Sequence, residues 1–118
     1  MRAVLVLMVL VMAPAAAFAQ DYFGAIAYSP STGSQGWSYD HDSRDAAERR
    51  ALSECRKHAN DCRALVWFKN ACGALATGPQ GYGTGWGDTQ SLADSYAMKV
   101  CGQHSSGCSV KRRVCTTR

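Results

Sequence analysis

Short apolar runs separated by clusters of turn residues are the first pattern along this chain. Two such runs, at residues 22–29 and 35–39, flank a turn cluster and predict a β-hairpin. The spacing then becomes helical, and Asp42 or Ser43 is placed to cap a helix that extends to about Ala59. We expect this helix to lie close to a sheet, because its apolar stripe consists mostly of small residues, namely Ala46, Ala47, Ala51, Leu52 and Cys55.

A nearly continuous apolar run follows the first helix. Residues 63–69 contain four consecutive apolar side chains at 65–68, which is typical of a central strand that is covered on both faces. Residues 71–77 and 82–87 then predict a second hairpin, whose return strand is rich in glycine.

A second helix and a last strand complete the pattern. Thr89 is placed to cap the helix, and Gly102 is a candidate for a left-handed residue at its C-terminal end. Residues 109–115 alternate apolar and basic side chains, as expected of a half-exposed edge strand. The inward face of the second helix is predicted to consist of Leu92, Ala93, Tyr96, Ala97, Val100 and Cys101.

The second half of the chain is a degraded copy of the first half. Cys101 and Cys108 follow Cys55 and Cys62 at the same interval of 46 residues. Upstream, a Gly-Ala-Ile-Ala segment and a Gly-Trp pair recur 49 residues later, with leucine in place of isoleucine. The first copy therefore contains three extra residues, which fall in a polar stretch between Trp37 and the first helix.

This register defines the predicted fold class. Each copy is a β-β-α-β unit, at about residues 22–70 and 71–118. We predict a disulfide-stapled α+β domain of two pseudo-twofold-related repeats, with six strands and two helices. The pattern does not decide between one continuous sheet and two packed sheets, and it does not predict an oligomeric state.

The start of the chain differs from the rest. Arg2, an apolar run at residues 3–12 and the small-x-small sequence at 17–19 predict a signal peptide at residues 1–19, with cleavage after Ala19. The apolar run is shorter than the roughly 20 residues that a spanning helix needs. We therefore expect a periplasmic or secreted single domain at residues 20–118, with no membrane span after cleavage.

The charge balance is mildly basic. The formal net charge of the full chain is +4, and removal of Arg2 with the signal peptide lowers it by one. Basic residues of the first helix are interleaved with acidic ones, which favours a solvated face over a polyanion site. No nucleic-acid partner is expected.

Six cysteines in a short exported chain predict three disulfides. The spacing does not fit a zinc site, which usually has two short knuckles, nor a redox-active C-x-x-C motif. We predict neither a metal nor a cofactor. If both repeats fold alike, the pairs are Cys55 with Cys62, Cys101 with Cys108, and Cys72 with Cys115.

Two groups of side chains are candidates for function. Asp40, His41 and Asp42 combine a potential base with two carboxylates, but a hydrolase would also need a nucleophile, and the adjacent Ser43 is placed to cap the helix. The cluster is otherwise a polar loop or a weak metal or partner contact. The second group is aromatic with neighbouring acids, and it either fills the core or anchors a protein partner: Trp37, Tyr39, Asp40, Tyr82, Trp86 and Asp88.

Several segments resemble the exported bacterial family catalogued as domain of unknown function 4189. They are Gly24–Ser29, Gly36–Tyr39, Asp61–Arg63, Ala71–Ala76 and Gly83–Gly87. The resemblance covers the chain after the signal peptide and includes all six cysteines. It implies a small, secreted, disulfide-bonded protein, and it carries no catalytic motif onto numbered positions. Some members are linked to immunity against antibacterial effectors, and some mycobacterial members act on a host.

Three functional hypotheses follow. The first is a non-enzymatic exported protein-binding module, in particular a periplasmic immunity protein that inhibits a toxic antibacterial effector. The second is a secreted effector that acts on a host or a competitor. The third is a small hydrolase that uses the Asp40-His41-Asp42 loop.

Overall fold

The computed structural model describes residues 3–12 and 20–118. Residues 3–12 form no helix or strand. The predicted cleavage site at 17–19 lies outside the described residues. Among residues 3–12 and 20–118, no helix is long and apolar enough to cross a membrane.

Residues 23–115 fold into six strands and two helices, in the predicted order. The elements are β1 (Phe23–Tyr28), β2 (Gln35–His41), α1 (Arg44–Arg56), β3 (Arg63–Lys69), β4 (Cys72–Gly78), β5 (Gly81–Gly87), α2 (Gln90–Gly102) and β6 (Ser109–Cys115).

The strands form two antiparallel three-stranded sheets, with strand orders β2-β1-β3 and β5-β4-β6. Each repeat therefore builds one sheet around its own first strand, and the two sheets pack face to face. The α+β fold class with two β-β-α-β repeats is confirmed. The prediction that β3 is a central strand is wrong, since β3 is an edge strand and only Phe68 in it is fully buried.

Each helix packs on the outer face of its own sheet, which gives four layers in the order helix, sheet, sheet, helix. Ser43 and Thr89 cap the helices, because their hydroxyl groups accept hydrogen bonds from the backbone amides three residues later. The buried stripes are short rows of alanine and cysteine: Ala47, Ala51 and Cys55 in α1, and Ala93, Ala97 and Cys101 in α2.

Three predictions about the helices are corrected. The first helix ends at Arg56 rather than near Ala59. Leu92 and Tyr96 do not face inward, since they are 46% and 52% exposed. Gly102 lies in the last turn of α2 and does not have a left-handed backbone; the helix is capped by Gln103 at a φ of −74°.

The helices approach the sheets so closely that glycine is required beneath them. A Cβ atom on Gly36 of β2 would lie 1.9 Å from the Ala51 carbonyl oxygen, and one on Gly83 of β5 would lie 2.2 Å from the Cys101 nitrogen. Real Cβ contacts are longer than 3 Å. The glycine-rich sequence of β5 therefore serves to bring α2 against the sheet.

The core between the two sheets is built from Ile26, Leu75, Phe68 and Val114, with Tyr28 and Tyr82 in edge-to-face contact at 5.2 Å. The Phe68 ring fills the space between two glycines that are equivalent in the repeats, Gly24 and Gly73. A Cβ atom on either of them would lie 2.4 Å from the ring.

Three disulfides staple the domain, between Cys55 and Cys62, Cys101 and Cys108, and Cys72 and Cys115. These are the pairs that the register of the repeats predicts. The first two join the end of a helix to the following strand, and the third joins β4 to β6. The symmetry also extends to polar ties: Asn70 accepts from the Tyr22 amide and Thr116 accepts from the Ala71 amide, both at 2.9 Å.

Candidate functional site

The strand β2 exposes two aromatic rings along one side. Its residues alternate between faces, so that Gly36 and Ser38 point at α1, and the Ser38 hydroxyl donates to the Ala47 carbonyl at 2.7 Å. Trp37 and Tyr39 point the other way and are 39% and 55% exposed. The structure thus favours exposure over the core position that the sequence also allowed for Trp37.

The six predicted partner-binding residues separate into two groups. In the packed sheets, β2 lies opposite β6, and β3 lies opposite β5. Trp37, Tyr39 and Asp40 are therefore at one edge of the sandwich, and Tyr82, Trp86 and Asp88 are at the other. The repeats place the two tryptophans in equivalent positions but do not bring them together.

At the first edge, a groove of about 460 Å³ lies along the outer side of β2 and is bordered by side chains of β2, α1 and the segment after α1. We call it the polar groove, because most of its side chains are charged or hydrogen-bonding. It is lined by Gln35, Trp37, Ser38, Tyr39, His41, Arg50, Glu54 and His58.

The charges of the polar groove are held in place by ion pairs. Glu54 accepts hydrogen bonds from the Lys57 ammonium at 3.1 Å and pairs with the Arg50 guanidinium at 3.1 Å. The hydrogen bond from Lys57 holds the pKa of Glu54 below its ordinary value. The groove therefore contains an ionised carboxylate that is already neutralised by its two basic neighbours.

A fourth charge is added from the other sheet. The Arg112 guanidinium of β6 lies 3.6 Å from the centre of the Trp37 ring, which is a cation–π contact. Its Nε donates to the Gln35 side-chain oxygen at 3.0 Å. Arg112 thus fixes one side of the Trp37 ring and leaves a positive charge beside it.

The prediction of a polar loop at Asp40, His41 and Asp42 is corrected, since Asp40 and His41 belong to strand β2, and Asp40 has a structural role there. Asp40 lies in a bulge of β2 at a φ of 59°, and its carboxylate accepts from the Thr117 amide at 2.9 Å. Ser43 caps α1, and His41 lines the polar groove. The hydrolase hypothesis stays a prediction. In the part of the chain that the structure describes, no three His, Cys, Asp or Glu side chains are grouped to hold a metal ion.

The second edge has an equivalent groove with different chemistry. It measures about 500 Å³ and runs between β5 and α2. Tyr96 and Val100 stand at the repeat positions of Arg50 and Glu54, so aromatic and aliphatic side chains replace the ion pair. A further groove of about 590 Å³ lies between β5 and β3, and Trp86 lines both this groove and the one between β5 and α2. Trp86 is 55% exposed between the two.

The predicted site residues included neither the helical side of the polar groove nor the contribution of β6. Arg50 and Glu54 are four residues apart in α1 and therefore lie on one face of the helix. This spacing was visible in the sequence. The stacking of Arg112 on Trp37 was not, because it depends on how the two sheets pack.

These features define a class of protein, a small disulfide-stapled α+β sandwich with exposed aromatic rings at two edges. Residues 23–115 match the family described as domain of unknown function DUF4189, and the chain belongs to this family. The resemblance noted in the sequence is confirmed.

Curated relatives come from mycobacteria. Over 84 residues, the chain is 42% identical to Protein Mb1300c of Mycobacterium bovis and to Protein Rv1269c of Mycobacterium tuberculosis. The match covers 71% of this chain and 64% of each relative, so the chain spans less than two thirds of their length. No solved structure matches it significantly.

Proposed function

We propose that the chain is an exported, non-enzymatic protein-binding module that holds its partner in the polar groove. The observation that carries this proposal is the pair of exposed rings, Trp37 and Tyr39, side by side on an edge strand. Trp and Tyr dominate the binding energy of protein interfaces, because they bury large areas while losing few rotamers.

Rigidity of β2 supports the proposal. The strand is tied to α1 through the close contact at Gly36, to β6 through Arg112, and to the C-terminal segment through Asp40. A disulfide closes the loop that follows α1. A pre-organised surface of this kind loses little conformational entropy when a partner binds.

The charges of the polar groove favour an acidic partner. Arg50 lines the groove, and Lys57 and Arg112 add two positive charges beside it through their contacts with Glu54 and Trp37. The carboxylates that oppose these three charges are Glu54 and the peripheral Asp40. We therefore propose a partner that presents an acidic segment with an apolar residue for the aromatic pair. Complementary charge of this kind raises the association rate and makes it salt-dependent.

The particular role that we propose is inhibition of a toxic antibacterial effector in the periplasm. Its support is the family resemblance together with the predicted signal peptide. Export can be tested directly by expressing the full chain and determining the N-terminus of the purified product. We expect the mature chain to begin at Gln20.

The binding proposal is tested with a partner captured on the immobilised protein, identified by mass spectrometry and purified. Titration in solution compares wild type with a double variant, Trp37→Ala and Tyr39→Ala, and with Trp86→Ala as the matched control at the equivalent position of the second repeat. We expect the double variant to lose at least tenfold in affinity, about 1.4 kcal/mol. Unchanged affinity of the double variant, or an equal loss in Trp86→Ala, would contradict the proposal.

A further inference from the structure

The β5 edge, which is the unpaired side of Gly81–Gly87, differs from the other exposed strand edges. Of the four edge strands in the described part of the chain, β3 carries Arg63 and Lys69, β6 carries three basic residues, and β2 ends in Asp40 and His41. The sequence of β5 is GYGTGWG and contains no charged residue. Proteins commonly protect free sheet edges with charge, so an edge without it indicates a surface that is paired.

Apolar side chains flank the β5 edge on both faces. On the α2 side lie Leu92, Tyr96 and Val100, and on the β3 side lie Leu65 and Val66. The surface of an antiparallel sheet that faces water normally carries polar residues, whereas the side chains beside the β5 edge are apolar on both faces. These uncharged, apolar surroundings favour an edge that is covered.

We propose that this neighbour is β5 of a second copy, paired antiparallel about a twofold axis at Thr84. Thr84 is the midpoint of Gly81–Gly87, so this register uses the full length of the strand. Trp86 then lies opposite Tyr82 of the second copy, on the same face, and the pairing occurs twice. Cross-strand aromatic pairs are among the favourable ones, and a twofold interface requires a self-complementary surface of this kind.

Charge distinguishes β5 from the other edges as the self-pairing strand. Self-pairing of β6 would bring two sets of Lys111, Arg112 and Arg113 together. In the proposed β5 register, Asp88 falls opposite Gln80 of the second copy rather than opposite another acid. The pairing joins the β5-β4-β6 sheets of the two copies into one sheet of six strands. It also places the two α2 helices side by side, where Tyr96 and Leu92 contact apolar side chains of the second copy.

This dimer goes beyond the proposed partner-binding function and does not depend on it. The polar groove lies at the opposite edge of the sandwich, so both grooves of the dimer stay open. The two proposals are distinguished by their measurements, since one is tested by the mass of the protein alone and the other by partner affinity.

The first experiment measures the mass of the protein, purified after export, by sedimentation equilibrium at micromolar concentrations. We expect twice the protomer mass for wild type and for Ser109→Lys, which adds the same charge to the opposite edge of the same sheet. Thr84→Lys places two lysines at the twofold axis, and we expect a monomer with an unchanged circular dichroism spectrum. A monomeric wild type would overturn the proposal, as would a Thr84→Lys variant that stays dimeric.

A second experiment tests the register without relying on a disruptive change. In an antiparallel twofold pair only the central residue meets its own copy, at a Cα separation of about 4.5–5.5 Å, which a disulfide can span. We expect Thr84→Cys to form a cross-linked dimer under mild oxidation. Gln80→Cys, about 27 Å from its own copy at 3.4 Å per residue, should not. Equal cross-linking of the two variants, or none with Thr84→Cys, would refute this interface; a partner segment on β5 would then be the alternative occupant.

Discussion

The close approach of α1 to β2 at Gly36 provides a test of the packing. We predict that Gly36→Ala destabilises the protein, because the new Cβ would lie 1.9 Å from the Ala51 oxygen and 2.5 Å from the Cys55 nitrogen. Both are backbone atoms of α1, so no side chain can rotate away. The helix and β2 must separate by more than an ångström, and Cys55 is held by its disulfide to Cys62.

The expected magnitude combines two opposing effects. Overpacking of a core costs about 1–3 kcal/mol, and the upper end applies here because backbone must move. Alanine also restricts the unfolded chain, which returns roughly 0.5–1 kcal/mol. The net loss is about 2 kcal/mol, and in a domain of this size it lowers Tm by roughly 8–16 °C.

Gly102→Ala is the matched control. Gly102 is in the last turn of α2, and a Cβ atom there would meet nothing within 4 Å. Alanine favours the helix, so we expect a gain of about 0.5 kcal/mol, reduced from the interior value by its terminal position. Thermal unfolding with intact disulfides, followed by circular dichroism, measures both variants. A Gly36→Ala protein as stable as wild type would refute the close-packing argument.

Three further predictions address acid stability, the disulfides and the helix caps. A hydrogen bond from Ser29, and to a smaller extent one from Ser31, lowers the pKa of Asp61 from its ordinary value of 3.8. Because the pKa of Asp61 is lower in the folded than in the unfolded protein, the carboxylate stabilises the fold at pH values above its unfolded pKa. This contribution is lost as the pH falls through the folded pKa. Ser29→Ala should therefore make the free energy of unfolding less dependent on pH below 3.8. Replacing Cys72 and Cys115 by alanine opens a loop of 43 residues and should cost about 4 kcal/mol in urea unfolding, against about 2 kcal/mol for the seven-residue loop of the first repeat. Ser43→Ala removes the cap of α1 and should lower the free energy of unfolding by about 1 kcal/mol in the same assay. Replacing the exposed serine inside α1 by alanine should not lower it.

The repeat register carried most of the predictable structure. When Cys101 and Cys108 are aligned with Cys55 and Cys62, each helix or strand predicted in one repeat must also fit the sequence of the other repeat. Ser43 is confirmed as a cap, since its side chain accepts from the Ala46 amide, and Thr89 caps α2 at the equivalent position. The disulfide pairs follow from the same alignment.

The predictions that failed concern burial by neighbouring layers. The apolar run in β3 has the pattern of a central strand, but its side chains are covered by the opposing sheet and by an aromatic contact between Phe23 and Trp67 on the helix side. Comparison of the two repeats would have corrected this prediction, because β6, the strand equivalent to β3, was already predicted to be an edge strand. Similarly, Leu92 and Tyr96 are displaced outward because the glycines of β5 bring α2 so near that only alanine and cysteine fit beneath it.

The two repeats have diverged both in the core and at the surface of the domain. Inside, one ring, Phe68, occupies the space between Gly24 and Gly73, and its repeat equivalent is the smaller Val114. The two repeats are not equivalent there, because a single aromatic ring lies against both glycines. Once the two sheets are unequal at their centre, their edges need not be equivalent either. The ion pair of the polar groove and the apolar surroundings of β5 occupy equivalent positions of the two repeats but differ in chemistry, which is why we propose a foreign partner for one and a second copy of the chain for the other.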